Sequence, residues 1–505
     1  MRIRTRTFIL IFSSGLQKVT TLLLQLILAR LIFPELLGTY RQVFLAYTLL
    51  LGVLSLQLEN SLFYFLPKLG ADHRRPLLTQ TSVLGLTLAA LVGLVMFFGA
   101  QFIANFLNNP SLAPLIRIMA LYPLPEAMNV LVPPFMVSLD RTVAASVYTL
   151  ALNVGKIAVT VVLVALHFDL TMVMWGTVLS SAVVAAISWT HMYRLSEGGP
   201  ARLDRNLILE QLHYCWPLWI TVVIGTITGL FDQLLISKFF DARMFATYTN
   251  GAYELPVIAL ITTNLAVAIM PNLVVLADQG KTLDALDLWQ EAARKCSLVI
   301  FPCFVFFLVV APDFMSVLWG RQYVIATWPY SMSAWTFMIY LLILPTRIVI
   351  FGSIFRALGK TKPYAFSALL GLTTDVIVGT ALAWGGHGGF LSYVGPTLAV
   401  VCSSAVMLTY SLLKLGQIVD LPVRKLVRWK ELGRIMLLCA LCGGLILALP
   451  LSFLPTLVKL LVQATVFALA IIALFFGTKT LHPDEKDLLF MPWRIVSRLG
   501  KGGQT

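Results

Sequence analysis

Charged residues are scarce in this chain. Asp, Glu, Lys and Arg together make up 12% of the 505 residues, while hydrophobic residues make up 59%. Ordinary globular domains carry about 25% charged residues, so this composition excludes a soluble protein. The sequence therefore predicts a polytopic membrane protein. The net charge of +14 would suggest nucleic-acid binding in a soluble chain, but basic cytoplasmic loops explain it here, and no nucleic-acid partner is predicted.

Motifs for catalysis and metal binding are also lacking. The sequence has no HExxH segment, no His or Cys cluster with metal-ligand spacing and no serine nucleophile elbow. Residues 359–361 spell Gly-Lys-Thr, like the end of a phosphate-binding loop, but Phe355 or Ile354 stands where that loop needs a glycine. We therefore predict no catalytic residue, no metal site and no resident cofactor.

Cysteine is present without a disulfide framework. The six cysteines lie mostly in apolar runs, and Cys439 and Cys442 form the one suggestive pair. No histidine and no βαβ pattern accompany that pair, which favours a structural interpretation over a redox one.

Long apolar runs dominate the sequence instead. A helix needs about 20 apolar residues to cross a bilayer, and runs of that length between turn signals predict fourteen transmembrane helices. Their approximate bounds are 8–33, 40–66, 77–106, 111–138, 142–166, 170–193, 208–240, 245–276, 294–312, 325–356, 364–385, 389–413, 434–450 and 455–477. Short turns connect them on the outer side, so no folded domain is expected there.

The distribution of basic residues predicts the orientation of these helices. If the N-terminus is cytoplasmic, the inner segments hold 27 of the 37 Lys and Arg residues, and the outer loops and helix ends hold 5. Cytoplasmic loops of membrane proteins carry such an excess. We therefore predict a multi-pass protein of the cytoplasmic (inner) membrane with both termini in the cytoplasm.

The chain also repeats itself. Residues 29–40 align without gaps on residues 237–248, at an offset of 208, and residues 136–144 resemble residues 355–365. The first offset corresponds to six helices, an even number, so the two copies share one orientation and predict two parallel six-helix lobes around a central cavity. The expected divisions are 1–206 for the N-terminal lobe, 207–418 for the C-terminal lobe, 419–477 for two extra helices and 478–505 for a cytoplasmic tail.

Several cations lie inside the predicted spans or at their outer ends. An ionised side chain near the bilayer centre costs at least about 2.5 to 3.5 kcal/mol, so such a residue faces a protein interior or a wet cavity. Arg and Lys bind phosphate oxygens, which makes a path for a phosphate or diphosphate headgroup the first hypothesis. Alternatively, each cation pairs with Glu59 or Glu126, or extends to the membrane interface. The candidate headgroup-binding residues are Lys18, Arg30, Arg41, Arg117, Lys156 and Arg347.

Three carboxylates lie in the spans of the second predicted lobe. Asp232, Glu254 and Asp375 can take up a proton or Na⁺, because either cation relieves the cost of burying a negative charge. They are therefore candidates for binding a coupling ion. Internal pairing, for instance of Asp375 with Arg347, is the equally open alternative.

The junction between the first two helices resembles a known family. Residues 29–40 (Ala-Arg-Leu-Ile-Phe-Pro-Glu-Leu-Leu-Gly-Thr-Tyr) resemble the start of polysaccharide and oligosaccharide flippases of the multidrug/oligosaccharidyl-lipid/polysaccharide (MOP) exporter superfamily. Phe33 stands where that pattern usually has Gly, and residues 14–18 and 358–361 also look like the family. The resemblance implies translocation of a polyprenyl-diphosphate-linked oligosaccharide to the outer leaflet by alternating access, for O-antigen or exopolysaccharide biosynthesis. It also implies a cationic cavity, which Lys18, Arg117 and Lys156 would fit, and it suggests a polysaccharide polymerase or assembly proteins as partners.

Two other functions compete with this interpretation. A multidrug exporter of the same fold would favour an acidic or aromatic pocket for cationic drugs, whereas the deep charges of the first lobe are mostly basic. A membrane glycosyltransferase, ligase or polymerase would need acidic or catalytic residues on sizeable outer loops, and these loops are nearly charge-free turns. A transporter rather than an enzyme is therefore expected.

Overall fold

The chain folds as a set of α-helices. The computed structural model describes residues 3–69, 73–196, 203–320 and 331–481, and no β-strand occurs in these ranges. This confirms the predicted all-α class. The helices of the first part are α1 (Ile3–Leu31), α2 (Pro34–Leu54), α3 (Glu59–Phe65), α4 (Arg74–Phe106), α5 (Leu112–Met119), α6 (Pro123–Asn129), α7 (Val132–Ser138), α8 (Thr142–Ala165), α9 (Leu170–Leu195), α10 (Arg205–Phe239) and α11 (Ala242–Gly251).

The rest of the described chain also consists of α-helices. They are α12 (Pro256–Asp278), α13 (Thr282–Trp319), α14 (Met332–Leu341), α15 (Leu344–Arg347), α16 (Phe351–Ala357), α17 (Thr361–Gly385), α18 (Phe390–Val419), α19 (Val423–Leu426), α20 (Trp429–Leu447) and α21 (Thr456–Gly477).

In the described ranges, fewer helices have the length and composition of a membrane span than the sequence predicted. Within the described ranges, 11 helices are long and apolar enough to cross a membrane, or 12 if α5 and the α6–α7 segment, bent by 42°, count as one span. The predicted number of fourteen is therefore not confirmed. Helix α20 is not among these spans, and three of its first six residues, Lys430, Glu431 and Arg434, are charged.

The fourth predicted span of each repeat is broken into three short helices. Helices α5, α6 and α7 divide it in the first repeat, and α14, α15 and α16 divide it in the second. Pro123 lies at the start of α6, and Pro345 lies in the first turn of α15. Proline lacks the N–H group that a continuing helix needs, which favours a break before it. The shared segmentation supports the predicted repeat.

A second kind of break separates α2 from α3. Gln57, in the linking segment, has a φ angle of 53°, which no helix continues through. Side chains of α10 bind the backbone carbonyls exposed there. Trp219 Nε1 donates to the Val53 carbonyl at 2.9 Å, and Cys215 Sγ lies 3.7 Å from the Gln57 carbonyl. These contacts stabilise a break that would otherwise leave polar backbone groups without partners in an apolar environment.

Contacts divide the chain into two compact units. The first comprises Met1–Pro256, Leu318–Tyr340 and Ala365–Met407, and the second comprises the remaining segments, Val257–Val317, Leu341–Tyr364 and Leu408–Thr505. The predicted lobe boundaries stay a prediction.

Each unit has its own stabilising contacts. In the first, a large apolar core includes Val43, Val92, Ile116, Met174 and Phe245. In the second, Arg294 is buried, lies 2.8 Å from a carboxylate oxygen of Glu431, and donates a 2.6 Å hydrogen bond to the Thr480 carbonyl.

Candidate functional site

Lys156 lies on α8, in the first unit, and is bound by groups of the preceding broken span. Its Nζ lies 2.6 Å from Glu126 Oε1 and 2.9 Å from the Tyr122 hydroxyl. The two charged side chains are only 16% and 15% exposed. Lys156 therefore does not extend to the membrane interface. It forms a largely buried ion pair, one of the alternatives that the sequence left open.

Further donors converge on the same carboxylate oxygen. Glu126 Oε1 also accepts a 3.1 Å hydrogen bond from Asn129 Nδ2 and a short one from the Ser181 hydroxyl. Asn129 and Ser181 are buried. We call the four groups Lys156, Asn129, Ser181 and Tyr122 the Lys156 cradle. Asn129 on α6, Lys156 on α8 and Ser181 on α9 donate to one anionic oxygen, which is the arrangement that a bound anion requires, and the Tyr122 hydroxyl accepts a hydrogen bond from Lys156.

Aromatic side chains of α2 fix one member of the Lys156 cradle. The Tyr122 ring lies 4.9 Å from the Tyr47 ring and 6.3 Å from the Phe44 ring, in edge-to-face arrangements. Such pairs are favourable and directional. They hold the Tyr122 hydroxyl beside Lys156.

Arg41, a predicted headgroup-binding residue, contacts α11 in the first unit. Its Nη1 donates to Thr249 Oγ1 at 2.6 Å, to Asn250 Oδ1 at 2.7 Å and to the Ala246 carbonyl at 3.3 Å. Its guanidinium carbon also lies 5.4 Å from the centre of the Trp319 ring. Arg41 and Thr249 are 208 residues apart, the offset of the sequence repeat. This cation therefore connects equivalent helices of the two repeats.

Helices α2 and α11 approach closely beside this contact. Gly38 permits the approach, since a Cβ atom at that position would lie 1.8 Å from the Ala242 carbonyl oxygen. Glu35 and Arg243, again 208 residues apart, form an exposed ion pair at 3.6 Å. The two helices thus pack closely against each other near their N-terminal ends.

The other predicted cations are exposed. Lys18 lies on α1, Arg30 in its last turn, Arg117 in the last turn of α5, and Arg347 at the end of α15. The Arg30 side chain packs beside Gly320, since a Cβ atom added at Gly320 would lie 3.6 Å from Arg30 Nη1. A headgroup-binding role for these four residues stays a prediction.

Two of the predicted acids are buried in the first unit. Asp232, on α10, accepts a 2.9 Å hydrogen bond from the Tyr248 hydroxyl, which in turn accepts one from Thr397 at 3.1 Å. Asp375, on α17, is 1% exposed, and neither of its carboxylate oxygens has a hydrogen-bond partner among the described residues. A buried carboxylate without such a partner is costly.

The two buried acids lie on helices that pack together. Gly379, one turn after Asp375, packs against Leu235, one turn after Asp232, since a Cβ atom at Gly379 would lie 3.1 Å from Leu235 Cδ1. Glu254 is exposed and lies in the break between α11 and α12. The structure thus brings together two of the three predicted acids.

Lys156 and Asp375 occupy equivalent positions of the two repeats. Helices α8 and α17 begin at Thr142 and Thr361, which are 219 residues apart, and the same number separates Lys156 from Asp375. One position in the repeated fold therefore carries a cation in the first repeat and an anion in the second.

Several partners of these charges were not identified from the sequence. They are Tyr122, Asn129, Ser181, Tyr248 and Thr397. Isolated hydroxyl and amide side chains are common in membrane helices and have no distinctive spacing, so no pattern marks them.

Sequence comparison assigns the chain to a family. A family model described as polysaccharide biosynthesis protein matches residues 27–327, more than half of the chain. No curated protein matches the sequence.

Comparison with solved structures identifies the fold. The lipid II flippase MurJ, in an inward closed conformation, is similar with a TM-score of 0.70 and 13% identity, over 93% of this chain and 99% of that one. An inward-facing multidrug resistance MATE transporter of the MOP superfamily is similar with a TM-score of 0.57 and 12% identity, over 80% and 95%. A MOP superfamily transporter from Pyrococcus furiosus is similar with a TM-score of 0.54 and 14% identity, over 83% and 96%. The chain therefore has the fold of MOP superfamily transporters.

Proposed function

Since the chain belongs to the polysaccharide biosynthesis protein family and has the MOP transporter fold, we propose that it is a flippase for a polyprenyl-diphosphate-linked oligosaccharide. It moves this lipid from the cytoplasmic to the outer leaflet by alternating access. The observation that carries the proposal is the Lys156 cradle, in which a cation and neutral donors surround one anionic oxygen within the first unit. A diphosphate headgroup offers oxygens of the same kind.

The proposed direction of transport agrees with the predicted topology. Excess Lys and Arg on one side predict a cytoplasmic location of both termini in the inner membrane. The cytoplasm is usually electrically negative, so outward movement of an anionic headgroup is favoured by about 2.3 kcal/mol per charge per 100 mV. The delivered lipid would supply polymerase or assembly proteins of O-antigen or exopolysaccharide biosynthesis on the outer side.

The contact between α2 and α11 fits a state closed at one end. Gly38 and Ala242 meet there, and the predicted topology assigns these first turns to the outer side. Alternating access requires such a contact to form and to separate within each cycle. The bonds of Arg41 to Thr249 and Asn250 would break when the outer side opens.

The buried acids support coupling to a cation. Asp375 has two buried carboxylate oxygens without hydrogen-bond partners in the described part of the chain, and Asp232 lies on the packed neighbouring helix. A proton or Na⁺ would relieve the cost of this burial. We propose that one of these ions binds at Asp375 and Asp232, with exposed Glu254 as a further candidate for its path.

Reconstitution in liposomes tests the proposed function. The purified protein is incorporated with a fluorescently labelled polyprenyl-diphosphate oligosaccharide, and a membrane-impermeant quencher measures how much label reaches the outer leaflet. Protein-dependent exposure, reduced in Lys156→Met, is expected. Protein-free liposomes and liposomes containing an unrelated membrane protein are the controls. Absence of translocation for every oligosaccharide tried, together with efflux of a cationic dye, would identify a multidrug exporter instead.

A further inference from the structure

The Lys156 cradle is already occupied by an anion of the protein itself. Lys156 Nζ, Asn129 Nδ2 and the Ser181 hydroxyl all donate to a single atom, Glu126 Oε1. Glu126 Oε2 makes no hydrogen bond to any other described residue. The cradle is thus shaped around one oxygen atom.

A phosphate oxygen could take the place of this carboxylate oxygen without any change of donors. Phosphate oxygens accept charge-assisted hydrogen bonds from lysine and from neutral N–H and O–H groups. Asn129 and Ser181 are 6% and 0% exposed, so neither donor is hydrated by bulk water, and Asn129 Nδ2 also donates to Ser181 Oγ at 3.0 Å. The donor set would therefore remain satisfied with either anion, and only one anion can occupy it.

Glu126 lies in a short segment of a kinked span. It belongs to α6, a helix of 7 residues that is divided from α5 and α7 by short breaks. The span bends by 42° between α5 and the α6–α7 segment. Pro123 and Pro125 lie in the first turn of α6, where backbone N–H groups have no partner within the helix. Backbone hydrogen bonds from Glu126 to the Tyr122 carbonyl and from Val130 to the Glu126 carbonyl continue across its two ends. Rotation about the side-chain bonds of Glu126 can withdraw its carboxylate while α6, α8 and α9, which carry the donors Asn129, Lys156 and Ser181, keep their places.

We propose that Glu126 is an internal competitor for the headgroup, which occupies the Lys156 cradle in the absence of cargo and is displaced by one diphosphate oxygen. The inference rests on the proposed function, since it specifies how that headgroup is bound. Glu126 neutralises Lys156 while the site is empty, so an unpaired cation is never buried in the apolar span. The same residue weakens headgroup binding and so favours release on the other side of the membrane.

Binding of farnesyl diphosphate, a short polyprenyl diphosphate, to the purified full-length protein tests this inference. Glu126→Gln keeps a hydrogen-bond acceptor of similar shape but removes the competing charge. We expect it to bind the probe about tenfold more tightly than the wild type in isothermal titration calorimetry. Lys156→Met should abolish binding, and the double variant should show no gain over Lys156→Met.

The matched control is Glu291→Gln, which makes the same chemical change at a half-exposed carboxylate that pairs with Lys295. It should bind the probe like the wild type. Equal or weaker binding by Glu126→Gln, with normal binding by the wild type, would overturn the competitor role and leave the proposed function intact. Lack of binding by the wild type and by Glu126→Gln alike would overturn both. Size-exclusion profiles and thermal unfolding of every variant show whether it is folded.

Discussion

Replacement of Lys156 tests whether this residue only stabilises the fold through its ion pair or also binds the cargo. Lys156→Met keeps the length of the side chain and removes its charge. Glu126 then keeps its hydrogen bonds from Asn129 and Ser181 but loses the cation 2.6 Å away. The double variant Lys156→Met/Glu126→Gln removes both charges and restores neutrality.

The expected magnitudes follow from the burial of the pair. Removing one partner of a buried ion pair costs about 3–5 kcal/mol, whereas replacing both partners by neutral groups is often neutral or stabilising. The two side chains are still 16% and 15% exposed. Because they are not completely removed from solvent, we expect a cost at the lower end of that range. We expect Lys156→Met to lose about 3 kcal/mol of stability, and the double variant to lie within about 1 kcal/mol of the wild type.

Thermal unfolding in detergent and transport in liposomes report on the two roles separately. Transport by Lys156→Met and by the double variant should fall about tenfold or more, because neither has an ammonium group for the diphosphate. Lys156→Arg, which keeps the charge, is the control and should retain part of the activity. A double variant that recovers both stability and wild-type transport would show that Lys156 has only a structural role.

Three further predictions concern other residues. Asp375→Asn should fold at least as stably as the wild type, because it removes a buried charge whose carboxylate oxygens have no hydrogen-bond partner among the described residues. Its transport should not depend on Na⁺ or external pH, and a retained dependence would contradict ion binding at Asp375. Arg117→Ala should reduce transport at normal expression, since Arg117 is exposed on α5, and full activity would remove it from the cargo path. Gly38→Ala should lower the melting temperature, at a cost of about 1–3 kcal/mol, because its Cβ would meet the Ala242 carbonyl at 1.8 Å. Gly155→Ala, on α8 with open space around it, is the matched control and should be neutral or stabilising, by about 0.5–1 kcal/mol; equal effects of the two glycine variants would contradict the close α2–α11 contact.

Composition and apolar periodicity predicted the class of protein and most long helices, because the bilayer imposes one length and one polarity on every span. The breaks were harder to locate. Residues 111–138 were predicted as one span, although the structure divides that region into α5, α6 and α7. Prolines are common in membrane helices, where neighbouring groups can satisfy the freed backbone, so their presence does not say where a helix ends.

The roles of individual charges were only partly predictable. The sequence predicts that Lys156 lies away from the membrane interface and offers Glu126 as a potential partner, but 30 residues separate the two and their positions on different helices do not by themselves bring them together. The sequence predicts a headgroup-binding role for Arg41 but gives no sign of its hydrogen bonds to Thr249 and Asn250 of α11. Periodicity specifies which face of a helix is polar, whereas the partner across the interface depends on how helices cross.

The repeated fold fixes positions without fixing their chemistry. Lys156 and Asp375 occupy the same position in α8 and α17, yet the cation is bound in a cradle of donors and the acid has no hydrogen-bond partner in the described ranges. The fold is similar to that of a lipid II flippase at 13% identity and to that of a multidrug transporter at 12% identity. Overall similarity of fold therefore does not distinguish one cargo from another. The distinction depends on side chains at such positions. A donor cradle that accepts an anionic oxygen favours a phosphate-bearing cargo in the first repeat, and an unsatisfied acid favours a cation in the second.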